Sequence, residues 1–168
     1  ATAPDGLHGA EIELRYPSVG ATENTILAAV LAKGRTIIRN AAIEPEISDL
    51  IKMLQNMGAI ISVGTDRAIM IDGVEKLRGV HHQIMPDRNE AVSFACLAVA
   101  TDGKVLVRGA QQDVLSTFLN VLRKIGGEYS VTEDGIEFWR AIPGPLRPIM
   151  LETGTHPGFM TDWQQPTA

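Results

Sequence analysis

The chain has 168 residues, enough for one ordinary domain or two small ones. With 45% hydrophobic and 21% charged residues, and 15 Lys and Arg against 20 Asp and Glu for a net charge of -5, it carries no broad basic footprint for nucleic acid or an anionic membrane surface. Its apolar stretches, such as Thr25 to Ala32, fall far short of a membrane span, no basic-then-apolar leader is read at its start, and the single cysteine, Cys96, excludes a disulfide framework or a multi-cysteine zinc site; a cytoplasmic protein without a metal is expected.

In chain order, alternating Ile12 and Leu14 predict a strand leading into a helix over roughly Ala21 to Ala32, which Gly34 stops. A strand follows at Thr36 to Arg39. A second helix is signalled by Pro45 in its first turn, by Glu44, Glu46 and Asp49 at its positive end, and by Ile47, Leu50, Ile51 and Leu54 at helical spacing. Two short strands close this stretch, near Ala59 to Val63 and Ala68 to Ile71. The pattern then starts again. A strand at Val80 to Ile84 leads to a helix over Arg88 to Ala100, stopped by Gly103, and a strand at Val105 to Arg108 follows. Asp113 caps a helix with a stripe of Val114, Leu115, Phe118, Leu119 and Leu122, and strands close the unit at Glu128 to Val131 and Ile136 to Trp139. Pro148 to Leu151 reads as the first strand of a third unit.

The repeat has a period of 68 to 69 residues: Gly34 to Gly103 is 69 residues, Leu54 to Leu122 is 68, and Asp66 to Asp134 is 68. The fold class expected is therefore α/β of the α+β type, in repeated βαβαββ units, two complete and a third begun. The short join Ile84-Met85-Pro86-Asp87-Arg88 divides residues 1–85 from 86–168. Repeat architectures usually need about three units to close a core, so a piece of a larger protein is expected.

Two segments are candidates for chemistry. Tyr16-Pro17-Ser18-Val19-Gly20 lies between a strand and a helix, where unpaired amides and the positive dipole end suit a phosphate and Gly20 lets a ligand approach the backbone. The same residues also read as an ordinary serine cap with a tight turn. The irregular run Glu152 to Gln165 is the second: Asp162 stands at the start of the next helix, where it either accepts a proton from a sugar hydroxyl or merely caps the helix. Arg88, in Pro86-Asp87-Arg88-Asn89-Glu90, and Thr161 are candidate contacts at the unit junction or active site. His81 and His82 are adjacent on an expected strand, point to opposite faces, and read as surface histidines. Cys96 reads as inert helix packing, and Arg35, Arg39, Lys104 and Arg108 as a solvated face.

Taken together, Pro17-Ser18-Val19-Gly20-Ala21-Thr22, Asn40-Ala41-Ala42 with Glu44-Pro45-Glu46-Ile47, Gly64-Thr65-Asp66, Pro86-Asp87-Arg88, and Pro157-Gly158-Phe159 with Thr161-Asp162 resemble the bacterial UDP-N-acetylglucosamine enolpyruvyl transferases from about Gly6 to Gln165. The resemblance implies an inside-out barrel of two lobes, each of three βαβαββ units. On that alignment residues 1–85 are the last unit of the first lobe, and 86–168 are the first unit and the start of the next in the second lobe. It implies transfer of the enolpyruvyl group of phosphoenolpyruvate to the 3-hydroxyl of UDP-N-acetylglucosamine in peptidoglycan synthesis, and so a part in cell wall biogenesis, cell shape and cell division. The substrates would be those two small molecules, with no cofactor. Ser18, Val19 and Gly20, flanked by Tyr16 and Pro17, would hold the nucleotide diphosphate, and Asp162 would face the reacting hydroxyl.

The chain departs from that family in lacking its N-terminal lysine-asparagine pair, its cysteine loop and its C-terminal arginine, and in carrying Tyr16 where some members have lysine. The remainder of the same enzyme is thus an expected partner. Two other readings stay open: the related shikimate-pathway enolpyruvyl transferase, and a non-catalytic binding or assembly module of the same fold.

Overall fold

The computed structural model describes residues 2–163. The chain divides into two compact units, residues 1–85 and 86–168, each with its own core.

In the first unit, β1 (Glu11–Glu13) leads through α1 (Val19–Ala29) to β2 (Arg35–Arg39), which pairs with it in parallel, Ile12 opposite Ile38. Next come α2 (Pro45–Asn56), β3 (Ile60–Val63) and β4 (Ile69–Asp72). The sheet order is β1-β2-β4-β3, with β4 antiparallel to both neighbours, which is the expected βαβαββ unit. Its core is aliphatic: Ile26 and Val30 from α1, Ile47, Ile51 and Leu54 from α2, and Ile38, Ile61, Ile69 and Ile71 from the sheet. Pro45 occupies the first helical turn of α2 as read, where its missing N–H costs nothing. Gly73 is needed by space, since a Cβ there would run into the carbonyl of Ala32.

The second unit comprises α3 (Arg88–Ala100), β5 (Lys104–Arg108), α4 (Ser116–Ile125), β6 (Gly127–Thr132) and β7 (Gly135–Arg140). Its three-stranded sheet runs β5-β7-β6, all antiparallel, the same order as β2-β4-β3. The core here is aromatic, with Phe118, Phe138, Phe159 and Trp163 among Val92, Val99, Leu115 and Leu122.

Four expectations need correction. Val80 to Ile84 forms no strand; His82 and the Met85 amide are instead both bound to Asp49 of α2, and a strand needs a partner's backbone to bond to. Pro148 to Leu151 forms no strand either, and Met150 is fully exposed, so the third unit is not begun among the described residues. The helix expected at Asp162 is one 3-10 turn, Thr161–Trp163. Asp113 does not cap α4: its carboxylate accepts from the adjacent Val114 amide, and the buried Leu115 takes the cap position without a side-chain bond. Both sheets are open, and no barrel closes among the described residues.

Candidate functional site

The Ser18 turn belongs to the first unit. After β1, Leu14 is held on both sides, its amide donating to Arg39 O at 3.1 Å and its carbonyl accepting from Asn40 Nδ2 at 2.9 Å. Asn40 sits at φ 54°, a left-handed conformation that asparagine tolerates better than most residues. The chain then turns, with the Ser18 amide donating to Tyr16 O at 2.8 Å. Ser18 adopts extended backbone and its Oγ accepts from the Ala21 amide at 3.3 Å, an N-cap that satisfies one of the donors a helix start leaves over.

Beneath this turn lies Thr22, fully buried. Its hydroxyl donates to Ser18 O at 2.7 Å and accepts from the Ala42 amide at 2.9 Å, so one side chain ties the turn to the loop after β2. The opposite side is open. A Cβ on Gly20 would meet nothing within 4 Å, and Tyr16 is 68% exposed. No acidic residue stands in the first turn of α1, whereas Glu46 and Glu90 occupy those of α2 and α3. The positive end of α1 is therefore unneutralised by its own first turn, and the Val19 and Gly20 amides have no carbonyl partner within the helix. This arrangement can receive an anion at the backbone.

Asp162 and Thr161 belong to the second unit and are exposed, while both neighbours in the chain, Met160 and Trp163, are buried. The preceding loop folds on itself through Gly154 N to Phe159 O at 2.9 Å and Gly158 N to Thr155 O at 2.7 Å. It docks on α4 through Thr117 Oγ1, which donates to Pro157 O at 2.8 Å. Arg88 turns inward: it is 3% exposed, donates to Met160 Sδ, and lies 5.4 Å from the Trp163 ring centre. Asp87 caps α3 by accepting from the Asn89 and Glu90 amides.

The candidates thus fall into two groups, Tyr16 to Gly20 in one unit and Arg88, Thr161 and Asp162 in the other. His82 Nε2 lies 3.2 Å from Asp49 Oδ1, so this histidine is committed to α2. Cys96 is half-buried in α3, and burial pushes its thiol up to about 11. The expected solvated face is ordered by exposed cross-strand ion pairs, Arg35 to Asp72, Arg39 to Glu11 and Lys104 to Glu137. Sequence reasoning gave no role to Thr22, Asn89 or Trp163. Only Thr22 has a local signal, since a helical threonine readily bonds the carbonyl four residues back.

Comparison with known proteins gives consistent findings. The UDP-N-acetylglucosamine 1-carboxyvinyltransferase of Protochlamydia amoebophila (strain UWE25) is 54% identical over 99% of this chain and 36% of its own length. That of Chlamydia pneumoniae is 54% identical over 100% of this chain and again 36% of its own length. The chain thus spans about 36% of the curated relatives it matches. Among solved structures, the enolpyruvyl transferase NikO from Streptomyces tendae superposes with a TM-score of 0.80 at 23% identity, over 96% of this chain and 41% of that one. EPSP synthase from Acinetobacter baumannii gives 0.58 at 19% identity, over 81% and 32%. These two likenesses show the fold, that of the enolpyruvyl transferases. A family model described as EPSP synthase (3-phosphoshikimate 1-carboxyvinyltransferase) matches residues 2–168, and the chain belongs to that family.

Proposed function

We propose that this chain is part of a cytoplasmic enolpyruvyl transferase that moves the enolpyruvyl group of phosphoenolpyruvate to the 3-hydroxyl of UDP-N-acetylglucosamine in peptidoglycan synthesis, and so serves cell wall growth and division. The observation that carries the reading is the exposed, acid-free first turn at Ser18 to Gly20 in a chain 54% identical to proteins of that name. In the reaction the hydroxyl oxygen bonds to C2 of phosphoenolpyruvate as C3 gains a proton and the hydroxyl proton is taken up by a base; loss of a C3 proton then re-forms the C2–C3 double bond as phosphate is expelled from C2. Asp162 is the base, its exposed carboxylate carried between two buried residues. The amides of Val19 and Gly20, with Ser18, Pro17 and Tyr16 around them, hold the diphosphate. Arg88 serves from within the second unit, and Thr161 flanks the base. The rest of the enzyme is the expected partner of this chain.

The amino-sugar acceptor is preferred over a shikimate acceptor because identity is 54% to the former relatives and 19% to the A. baumannii EPSP synthase. The test is phosphate release by the product of the longest reading frame that contains this chain. UDP-N-acetylglucosamine should support release and shikimate 3-phosphate should not. Release with shikimate 3-phosphate alone would overturn the choice of acceptor, and release with neither would overturn the transferase reading.

A further inference from the structure

The only polar atom of the Trp163 side chain, its indole N–H, donates to Asn89 Oδ1 at 2.8 Å, and the residue is 2% exposed. Two rings meet it edge-on, Phe118 with centroids 6.1 Å apart and Phe159 at 5.6 Å. Arg88 lies over its face and also reaches Met160 Sδ. The Trp163 amide donates to Met160 O at 3.1 Å, which closes the turn around Thr161 and Asp162. An exposed carboxylate is thus bracketed by two buried side chains, both engaged by the first turn of α3. That turn is itself fixed by the Asp87 cap.

Apolar burial is non-directional and tolerates sliding by a fraction of an ångström, whereas a hydrogen bond from a rigid indole to a capped helix end sets both depth and rotation. We propose that Asn89 and Trp163 form a clamp that positions Asp162, with Asn89 as acceptor and Trp163 as the lever adjoining the carboxylate. The inference rests on the reading of Asp162 as the base. Neither residue touches substrate; both are positioning residues. A displacement of about 1 Å at a reacting group costs up to about 100-fold in rate, so loss of the clamp should lower turnover while leaving acceptor binding nearly intact.

The experiment uses the product of the longest reading frame containing this chain and five variants, Asn89→Ala, Asn89→Asp, Trp163→Phe, the Asn89→Ala/Trp163→Phe double and Asp162→Asn. The clamp predicts that Asn89→Ala lowers kcat about 10- to 100-fold with KM for UDP-N-acetylglucosamine within about threefold. Asn89→Asp, which keeps an acceptor for the indole N–H, should restore most of kcat. Trp163→Phe should match Asn89→Ala, and the double variant should be no worse than either single. Independently of turnover, hydrogen exchange at the Trp163 amide should speed up in Asn89→Ala while the amides of β6 and β7 are unchanged. Unchanged kcat in Asn89→Ala beside a strong loss in Asp162→Asn overturns the clamp and leaves the base assignment standing. Near-normal turnover in Asp162→Asn overturns both, and unchanged exchange at Trp163 overturns the clamp whatever the rates.

Discussion

The two units share a plan and differ in what fills their cores. Residues 45–72 and 116–140 fold alike: α2 and α4 are each followed by a left-handed glycine, Gly58 at φ 104° and Gly126 at φ 107°, then by an antiparallel strand pair. Asn40 at φ 54° and Gly109 at φ 75° end the strands before those helices. The first unit completes its sheet with β1 and packs aliphatic side chains. The second has no equivalent of β1 among the described residues and buries Phe159, Met160 and Trp163 instead. Each candidate segment is therefore held by different physics. The Ser18 turn hangs on hydrogen bonds from Thr22, whereas the Asp162 turn is an outgrowth of an aromatic core.

The largest test of that contrast is at the acid. In the product of the longest reading frame containing this chain, Asp162→Asn keeps the size and removes the charge, so turnover should fall by about 10²- to 10⁴-fold while the melting temperature stays within a few degrees, the side chain being exposed. Turnover and melting measured on the same variant decide it, and a large loss of stability with normal turnover would make Asp162 structural.

Next come the cores. Phe118→Ala removes a fully buried ring that meets Trp163 edge-on and should cost about 3–5 kcal/mol; Leu54→Ala in the aliphatic unit should cost about 2–5 kcal/mol. Denaturant melts give both numbers, but only Phe118→Ala should also loosen the Met160 to Trp163 turn by hydrogen exchange. If Leu54→Ala loosens that turn as much, the aromatic core is not what holds it.

Smaller effects are expected at the Ser18 turn. Thr22→Val keeps the shape but leaves the Ala42 N–H without the hydroxyl it donates to, at about 1–3 kcal/mol, while Ser18→Ala loses the cap alone, at about 1 kcal/mol. Equal melting losses for the two variants would remove Thr22 from its tying role.

Elements governed by local pattern were legible in the sequence. The helix Arg88–Ala100 is found as expected because Asp87 caps it and its apolar spacing agrees. The first helix begins two residues earlier than expected, since Ser18 caps the turn, and ends at Ala29, beyond which the Ala32 amide bonds back only three residues, to Ala29 O. Gly103 was expected to supply the left-handed stop after α3, and Asp102 takes that conformation instead at φ 55°. What depends on distant partners was not legible. Alternation at Val80 to Ile84 predicts a strand, but a strand is a relation between two backbones, and here Asp49 of α2 holds the segment. The Ser18 turn was readable as a cap or phosphate cradle, whereas Trp163, next to Asp162, bonds Asn89, 74 residues away in sequence.

The smallest contrast concerns two carboxylates, one in each unit. Arg35 holds the Asp72 carboxyl below its usual range. Glu128 is also held low, first by the Tyr129 amide at 3.0 Å and then by Arg123 at 2.7 Å. Both folded values lie below the unfolded ones. Each group therefore contributes its stability in full above the ordinary carboxylate value and loses it as pH falls through the lower folded value. The contributions are small because water screens such exposed pairs. Their response to salt should differ. Asp72 depends on another mobile charge and should rise toward its ordinary value in about 0.5 M salt, whereas the backbone donor to Glu128 cannot move away. Carboxyl titration by NMR at low and high salt reads both groups in one experiment, and an equal rise at Asp72 and Glu128 would show that Arg123, not the Tyr129 amide, governs Glu128.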